Sequence, residues 1–567
     1  MRSTPSLQFL RPHTWKKPLV VASKNSYPAY SRFFHLARQQ ELEQANALKY
    51  PRLQHNAAAP PMRIPDFRAK YDHIQKDTVV EEEVTLRGRV ESVRRAGSKL
   101  VFLNIRGEFE HVQGLCNLGK LVDGTTVPEF KNLARLLNRG DIISVTGKAT
   151  RSSTGELSIQ ATYLPQLLTP SLVPQPFKVE ETLHRHIDML VSRRTTDTLR
   201  MRSSIIRYLR DFFHERDFLE FQTPILAGTA GGAVARPFIT TSEAVKKDLS
   251  LRIAPELWLK RLVVGGVDRV FELGPAFRNE GIDQTHNPEF TICEFYHAYA
   301  NLHDLITLTE SLFRGVATHC HSLISSKLTS LPPIDLSQFE SPFEQAEFIP
   351  TLESKLGFRL PDLSSPTAYD DLLSLLSSNS VTVDSPTPHT LSKLLDRLAS
   401  TYIEPLSLTK PLFVTHHPVC MSPLSKSFTC PQTNQIVSAR TELFIGGREL
   451  ANMYEEENDP LSQRAKFIEQ LKARELDGEN EGDPQVDETY VYALGSGLPP
   501  TGGWGCGVER LVMLFSGTRK ISDVLSFGNL RNVVAAGSNA SVEFRIGVEG
   551  EEEEEGKGEV KGGKVDV

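Results

Sequence analysis

The sequence predicts an α+β multidomain protein, and three observations carry that expectation. Residues 83–168 alternate apolar and polar side chains in short runs, the period-2 signature of strands. Residues 186–540 mix strand-like runs with long amphipathic ones. A hinge at 169–185, with Pro170, Pro174 and Pro176, separates the two. A chain of 567 residues has room for roughly two to four domains, and its 39% hydrophobic content is that of an ordinary globular protein. No apolar run reaches the roughly 18 residues needed to span a bilayer, so no membrane partner is expected.

The ends differ in character from the body. Residues 1–40 hold seven basic residues and no acid. Within them, Ser31-Arg32-Phe33-Phe34-His35-Leu36-Ala37-Arg38 can form a short amphipathic helix. That composition is that of an organelle transit peptide, with a basic tail as the alternative. The expectation is a mitochondrial transit peptide over 1–40 and a protein of the mitochondrial matrix. Residues 41–82, broken by Pro51, Pro60, Pro61 and Pro65, suit a partly helical linker. Residues 541–567 end in an acidic low-complexity tail. The net charge is −6 although the first segment is basic, so any RNA surface must be a local basic patch. Six cysteines without paired spacing read as reduced thiols. The grouping of His416, His417, Cys420 and Cys430 is not a usual zinc spacing.

In the first domain, strands are expected over 84–90, 100–105, 111–115, 141–146 and 156–159, with a helix over 128–137. Five strands with a helix between the third and fourth is the order of an OB-fold β-barrel, which binds oligonucleotides on one face.

The chemistry concentrates in three clusters farther along. The first runs Phe277-Arg278-Asn279-Glu280, a polar loop, His286-Asn287-Pro288-Glu289-Phe290, then Glu294 and Tyr296. Alternation from Glu289 puts Phe290, Ile292, Glu294, Tyr296 and Ala298 on one face. By parity alone, Glu294 is better explained as an incidental acid on a half-buried strand. Arg278, Glu280 and His286 add a loop suited to phosphates, since a planar guanidinium can bind two oxyanions together. The second cluster is Thr441 to Glu456, where Gly446-Gly447 marks a hairpin turn. A two-residue hairpin pairs Phe444 with Glu449, so Glu442 and Glu449 share a face and could hold Mg²⁺. A solvated acidic face is the alternative. Simple alternation would put Asn452, Tyr454 and Glu456 on the opposite face, so a shared site requires a bulge near Ala451. The third cluster, Gly497 to Phe515, is a glycine-rich strand followed by Arg510 at the head of an apolar helix. It lacks the Gly-Lys-Ser/Thr ending of a P-loop.

The first and third clusters closely resemble motifs 2 and 3 of the class II aminoacyl-tRNA synthetases, in the version found in lysyl-tRNA synthetases. Thr198 to Leu226, with Arg202, Ile205–Phe213 and Thr223-Pro224, is similar to motif 1. The resemblance covers roughly 80–170 and 185–535. It implies an N-terminal OB-fold β-barrel over 83–168 for anticodon binding. It further implies a class II synthetase catalytic domain over 186–540, an antiparallel sheet flanked by helices. A Ser/Thr/Pro-rich insertion falls at about 320–395. The implied activity is that of a lysine–tRNA ligase, with ATP, L-lysine and tRNA(Lys) as partners, Mg²⁺ as the ion and a homodimer as the assembly.

Residue by residue, the resemblance gives Gly232 and Glu256 to the α-amino group of lysine. Arg278 and Asn452 would take its carboxylate, and Glu294, Tyr296 and Glu456 its ε-ammonium. Arg278, Glu280, His286, Phe290 and Arg510 would hold ATP, with Arg278 and Arg510 catalytic and Glu442 and Glu449 on the metal. Phe102, Gln113 and Glu156 would face the anticodon, Phe102 being equally readable as a core residue of the barrel. The chain departs from the family at Thr241-Ser242-Glu243, where a His-His-Asn run is usual, at Gly495-Ser496 and at Pro275-Ala276. Alternative readings are an aspartyl or asparaginyl enzyme, a lysine ligase acting on protein, and a catalytically silent RNA-binding paralogue. The acidic pocket opposes the first, the N-terminal domain the second, and the retained arginines and carboxylates the third.

Overall fold

The structure, a computed structural model, describes residues 37–53, 58–173, 185–228, 235–340, 342–383, 385–476 and 486–537. The expected transit peptide up to residue 36 and the acidic tail lie outside the described residues. The chain divides between Phe177 and Lys178 into two compact units.

The N-terminal unit holds β1 (Pro61–Met62), β2 (Val79–Arg95), β3 (Leu100–Gly107), β4 (Glu110–Asn117), β5 (Ile142–Arg151), β6 (Leu157–Ala161) and β7 (Gln166–Thr169). Alternation decides the faces: Val101, Leu103 and Ile105 are buried while Phe102 and Asn104 point the other way. A helix at Val127–Leu136 follows β4, started by a capping box between Thr126 and Glu129 and by Pro128 in its first turn. The strands run in the order β1-β2-β3-β4-β6-β5-β7. This corrects the expected five-stranded OB-fold β-barrel. The unit is an OB-fold-like β-rich domain whose sheet has seven strands rather than five, with β1 and β7 at its ends and β2 also paired to β5. The physical reason lies in β2 and in the two added strands. β2 is 17 residues long and pairs with β5 through its first half and with β3 through its second. β1 and β7 extend the sheet outward beside β2 and β5.

A short helix at 37–44 packs on this unit, with Leu42 fully buried. Arg38 reaches Asp141 at 3.2 Å. Asp141 also accepts the backbone N–H of Asn138 at 2.8 Å and of Ser171 at 2.7 Å. Arg38 therefore belongs to the packed domain, inside the boundary at residue 40 expected for a leader.

The second unit contains β8 (Leu219–Glu220), β9 (Leu226–Ala227), β10 (Ile239–Ser242), β11 (Lys247–Leu251), β12 (Arg269–Phe277), β13 (Glu289–Ala298) and β14 (Glu344–Glu347). It continues with β15 (Leu412–Thr415), β16 (Ser427–Thr429), β17 (Ile436–Ser438), β18 (Arg440–Ile445), β19 (Arg448–Glu455) and β20 (Thr501–Gly507). Eight of them form one sheet, β14-β15-β18-β19-β20-β13-β12-β8. Its interior pairs are antiparallel, whereas β14–β15 and β12–β8 are parallel, so the sheet is mixed at its edges. One face packs on the helices Arg193–His214, Leu302–Ser326 and Val508–Ser516, around Phe213, Phe295 and Trp504. Phe295 stacks on Trp504 with centroids 5.2 Å apart, a contact beyond simple burial. The other face carries the polar partners of the same strands. The expected insertion at 320–395 is built into this unit: it supplies β14 and helices Phe348–Leu356, Ala368–Ser378 and Leu391–Tyr402, with Leu352, Leu372 and Leu394 in a core of their own.

Removing Asp141 leaves two backbone N–H groups without their acceptor and takes one carboxylate from the buried Arg38 guanidinium, which keeps Glu41 and Leu136 O. Asp141→Ala is therefore expected to cost about 3–5 kcal/mol, read as faster hydrogen exchange in the N-terminal unit with the catalytic sheet unchanged.

Candidate functional site

The site forms where β13, β20 and β19 lie side by side. Glu294 of β13 and Asn452 of β19 both pair with Gly505, and Tyr296 and Tyr454 both pair with Gly503. The middle strand thus places no side chain between two rows that need the space. At Gly503 a Cβ would run into the Glu456 carboxylate and come within 2.7 Å of the Tyr296 ring. That close approach, not a turn, explains Gly503. In front of these strands lies a cavity of about 500 Å³, lined among others by Glu256, Arg278, Glu294, Tyr296, Asn452 and Arg510, a size suited to small molecules.

The bulge required for a shared site is present. β18 and β19 pair Phe444 with Glu449 and Leu443 with Ala451, so Leu450 is the extra residue and the register shifts there. Glu449 and Asn452, three apart, accordingly share the cavity face with Glu442 and Tyr454.

The inner end of the cavity is acidic and its carboxylates are buried. Glu256, Glu294 and Glu456 are 4%, 5% and 0% exposed. Tyr296 Oη donates to Glu294 Oε2 at 3.2 Å, and Tyr454 Oη to Glu256 Oε1 at 3.0 Å. Burial, then the charge of Glu256, pushes the Glu294 carboxyl up to about 8. Burial raises Glu456 as well, against the pull of Lys260. The Lys260 ammonium stands behind the cavity, 2.5 Å from Glu256 Oε1 and in contact with Glu456. Glu256 and Glu294 line the cavity, while Glu456 and Lys260 lie one layer deeper.

The outer end is cationic. Arg278 sits over the Phe290 ring at 5.1 Å, its Nε donating to Ile253 O at 3.4 Å. Arg510 Nη1 donates to the Glu449 carboxylate at 3.2 Å, and its Nη2 lies 3.0 Å from His286 Nε2. Asp283 orients that imidazole through Nδ1 at 2.8 Å. Glu280 stands at the rim, exposed. Arg202 pairs with Glu509 at 2.8 Å, tying the motif 1 helix to the motif 3 helix.

Glu442 is held by Arg440 and by His417 Nε2 at 3.1 Å. Burial opposes its ionisation, but Arg440 and His417 outweigh it and bring Glu442 down to about 2. Glu449 is pushed up by burial and then by Glu442. Among the described residues no group of three or more His, Cys, Asp or Glu could hold a metal. Two mutually repelling carboxylates on one face still fit a hard cation that arrives with phosphate oxygens.

Gly232 lies outside the described residues. In the N-terminal unit, Phe102 is on the face away from the core, with the Arg94 guanidinium 4.3 Å from its ring centroid. Gln113 accepts from Ser158 Oγ at 3.1 Å on that same face, and Glu156 is exposed at the start of the neighbouring strand. Sequence reasoning missed Lys260, Arg440 and His417. Lys260 follows Glu256 by four residues on helix Glu256–Val264, a spacing that reads as an ordinary helix-surface ion pair.

Comparison with known proteins agrees with this geometry. Residues 179–531 match the family of "tRNA synthetases class II (D, K and N)", and residues 84–167 match the "OB-fold nucleic acid binding domain". The mitochondrial lysine–tRNA ligase of Schizosaccharomyces pombe is 43% identical over 83% of this chain and 88% of its own length. The lysine–tRNA ligase cla4 of Cladosporium cladosporioides is 37% identical over 85% of this chain and 82% of its own. That of Helicobacter hepaticus is 39% identical over 82% and 88%. With the motif clusters assembled on one sheet and full-length relatives on both sides of the hinge, the chain belongs to the class II tRNA synthetases, in the lysyl-tRNA synthetase family.

Proposed function

We propose that the cavity holds L-lysine with its side chain in the acidic end and ATP at the arginine end. The chain is an ATP-dependent lysine–tRNA ligase. The observation that carries the residue assignment is the convergence of Glu256, Glu294 and the deeper Glu456 at one end of a cavity whose other end presents Arg278 and Arg510.

In this reading Glu256, with Gly232, receives the α-ammonium, and Arg278 and Asn452 receive the carboxylate. Glu294 and Tyr296 face the ε-ammonium, with Glu456 behind them. A lysine carboxylate oxygen attacks the α-phosphorus of ATP, a new P–O bond forms, and the bond to pyrophosphate breaks. A terminal ribose hydroxyl of tRNA(Lys) then attacks the acyl carbon of the adenylate and AMP leaves. No protein nucleophile is needed; Arg278 and Arg510 position and neutralise, with Phe290 beneath the base and His286 and Glu280 bordering the nucleotide. Glu442 and Glu449 are the carboxylates that would hold Mg²⁺, which supplies charge neutralisation on the phosphates when bound. On the N-terminal unit, Phe102 offers a stacking surface and Gln113 and Glu156 polar edges for anticodon bases.

Discrimination follows from charge. A buried carboxylate set left without its cation costs about 3–5 kcal/mol, roughly 10² to 10⁴ in selectivity. Aspartate is repelled, and asparagine leaves the carboxylates uncompensated. Retention of Arg278, Arg510, Glu442 and Glu449 on the cavity opposes a silent paralogue.

A homodimer is supported by exposed apolar residues in the motif 1 segment, Leu219, Ile225 and Leu226 at 54%, 41% and 49%, and its readout is a light-scattering mass twice the 63.3 kDa of one chain. A place in the mitochondrial matrix is supported by the basic, acid-free N-terminal segment and by the name of the Schizosaccharomyces pombe relative. Native protein should then begin after Arg32 and before the packed Arg38; mass spectrometry finding residue 1 or 2 retained rejects this.

ATP–pyrophosphate exchange with each of the twenty amino acids tests the function: lysine alone should support it, dependent on Mg²⁺. The pH dependence has a definite sign. Below about 8 Glu294 is largely protonated in the free site, and an incoming ammonium favours its ionised form. Lysine KM should therefore fall with rising pH, by at most about tenfold per unit, and level off above pH 8. Glu294→Gln should raise lysine KM and flatten that profile while leaving ATP KM within about twofold.

A further inference from the structure

Lys260 has no part in the mechanism above, yet its charge is fully buried, 0% exposed. Its ammonium is 2.5 Å from Glu256 on its own helix and touches Glu456 at the end of β19. The groups facing it from the other packed elements are Tyr296 of β13 and Tyr454 of β19, each ring centroid 5.6 Å away. Tyr490 of helix Glu488–Gly495 and the more distant Glu294 complete its surroundings. Burial alone would strip such an ammonium of its proton, but Glu256 and Glu456 outweigh it and hold Lys260 above its ordinary value.

Its placement fixes the charge that a ligand must bring. With a ligand's ammonium groups present to favour their ionised forms, the carboxyls of Glu256, Glu294 and Glu456 bring three negative charges to the inner end, and the Lys260 ammonium offsets one of them. Lysine carries two ammonium groups, which offset the other two, while its carboxylate lies toward Arg278. The geometry is as specific as the count. Lys260 and Tyr454 both bind Glu256 Oε1, so its second oxygen is the one left for a ligand. Glu456 touches Lys260 and fills the space that a side chain at Gly503 would take.

We propose that Lys260 is a positioning and specificity-determining residue: a built-in counter-cation that fixes Glu256 and Glu456 and leaves the pocket short of two positive charges, the number lysine carries on its amines. This rests on the reading of the cavity as the lysine site.

The test is ATP–pyrophosphate exchange by the full chain, comparing wild type, Lys260→Met and Lys260→Arg across pH 6.5–9. Lysine-dependent exchange by wild type establishes the underlying reading; its absence overturns both. Lys260→Met keeps the length of the side chain and removes the charge. It is expected to raise lysine KM on the order of 10²-fold, with ATP KM within about twofold. Its lysine KM should also level off at higher pH than in wild type, because the carboxylates have lost the cation that favours their ionised forms. Lys260→Arg keeps the charge and should keep the wild-type pH profile, even where crowding raises KM. A merely structural role predicts fewer active molecules with unchanged KM values and profile, and that result overturns the proposal. So does a Lys260→Arg profile displaced like that of Lys260→Met. Failure of both variants to fold reduces Lys260 to a stabilising ion pair and likewise overturns it.

Discussion

In the proposed reading, the chemistry of this protein depends on keeping buried carboxylates ionisable. Three glutamates within one pocket repel one another, and burial makes each charge costly. The structure answers with a buried lysine beneath them, two phenols that donate to them, and arginines at the far end of the same cavity. In the proposed reading the site is incomplete in charge until a cationic ligand enters, so that recognition and electrostatic relief are the same event.

The scaffold makes this possible by dividing labour between the two faces of one sheet. Cys293, Phe295, Trp504 and Met453 go into the hydrophobic layer under the long helices. Their immediate neighbours Glu294, Tyr296, Gly505 and Asn452 line the cavity. Each functional side chain is thus held by the packing of the residue beside it, and the stacked Phe295 and Trp504 act as its foundation. A rigid sheet positions charged groups more sharply than a loop could, which suits a reaction accelerated by placement and charge.

Much of this was legible in the sequence because period 2 is unforgiving. The alternation from Glu289 onward places Phe290, Ile292, Glu294 and Tyr296 correctly, and the pairing of Phe444 with Glu449 follows from the Gly446-Gly447 turn alone. The requirement for a bulge could also be stated in advance, since two halves of one strand otherwise face opposite ways. Lys260 was not legible: a Glu and Lys four apart on a helix carry no sign of whether they are wet or dry, and only the packing of Tyr296, Tyr454 and Tyr490 around them decides it. Nor was the N-terminal sheet. Its five expected strands gave no notice that β2 would run on to serve two neighbours, or that Pro61–Met62 and Gln166–Thr169 would add strands at its ends. Short polar-flanked segments are the hardest to read, because tertiary pairing rather than local pattern makes them strands.

The extra residue at Leu450 has an evolutionary corollary. Because it turns the strand by half a period, every side chain from Asn452 onward owes its direction to the number of residues since the hairpin tip. A surface turn would ordinarily tolerate gain or loss of length. This one cannot drift by a single codon without swapping Asn452 and Tyr454 for Ala451 and Met453, burying polar groups and emptying the pocket in one step.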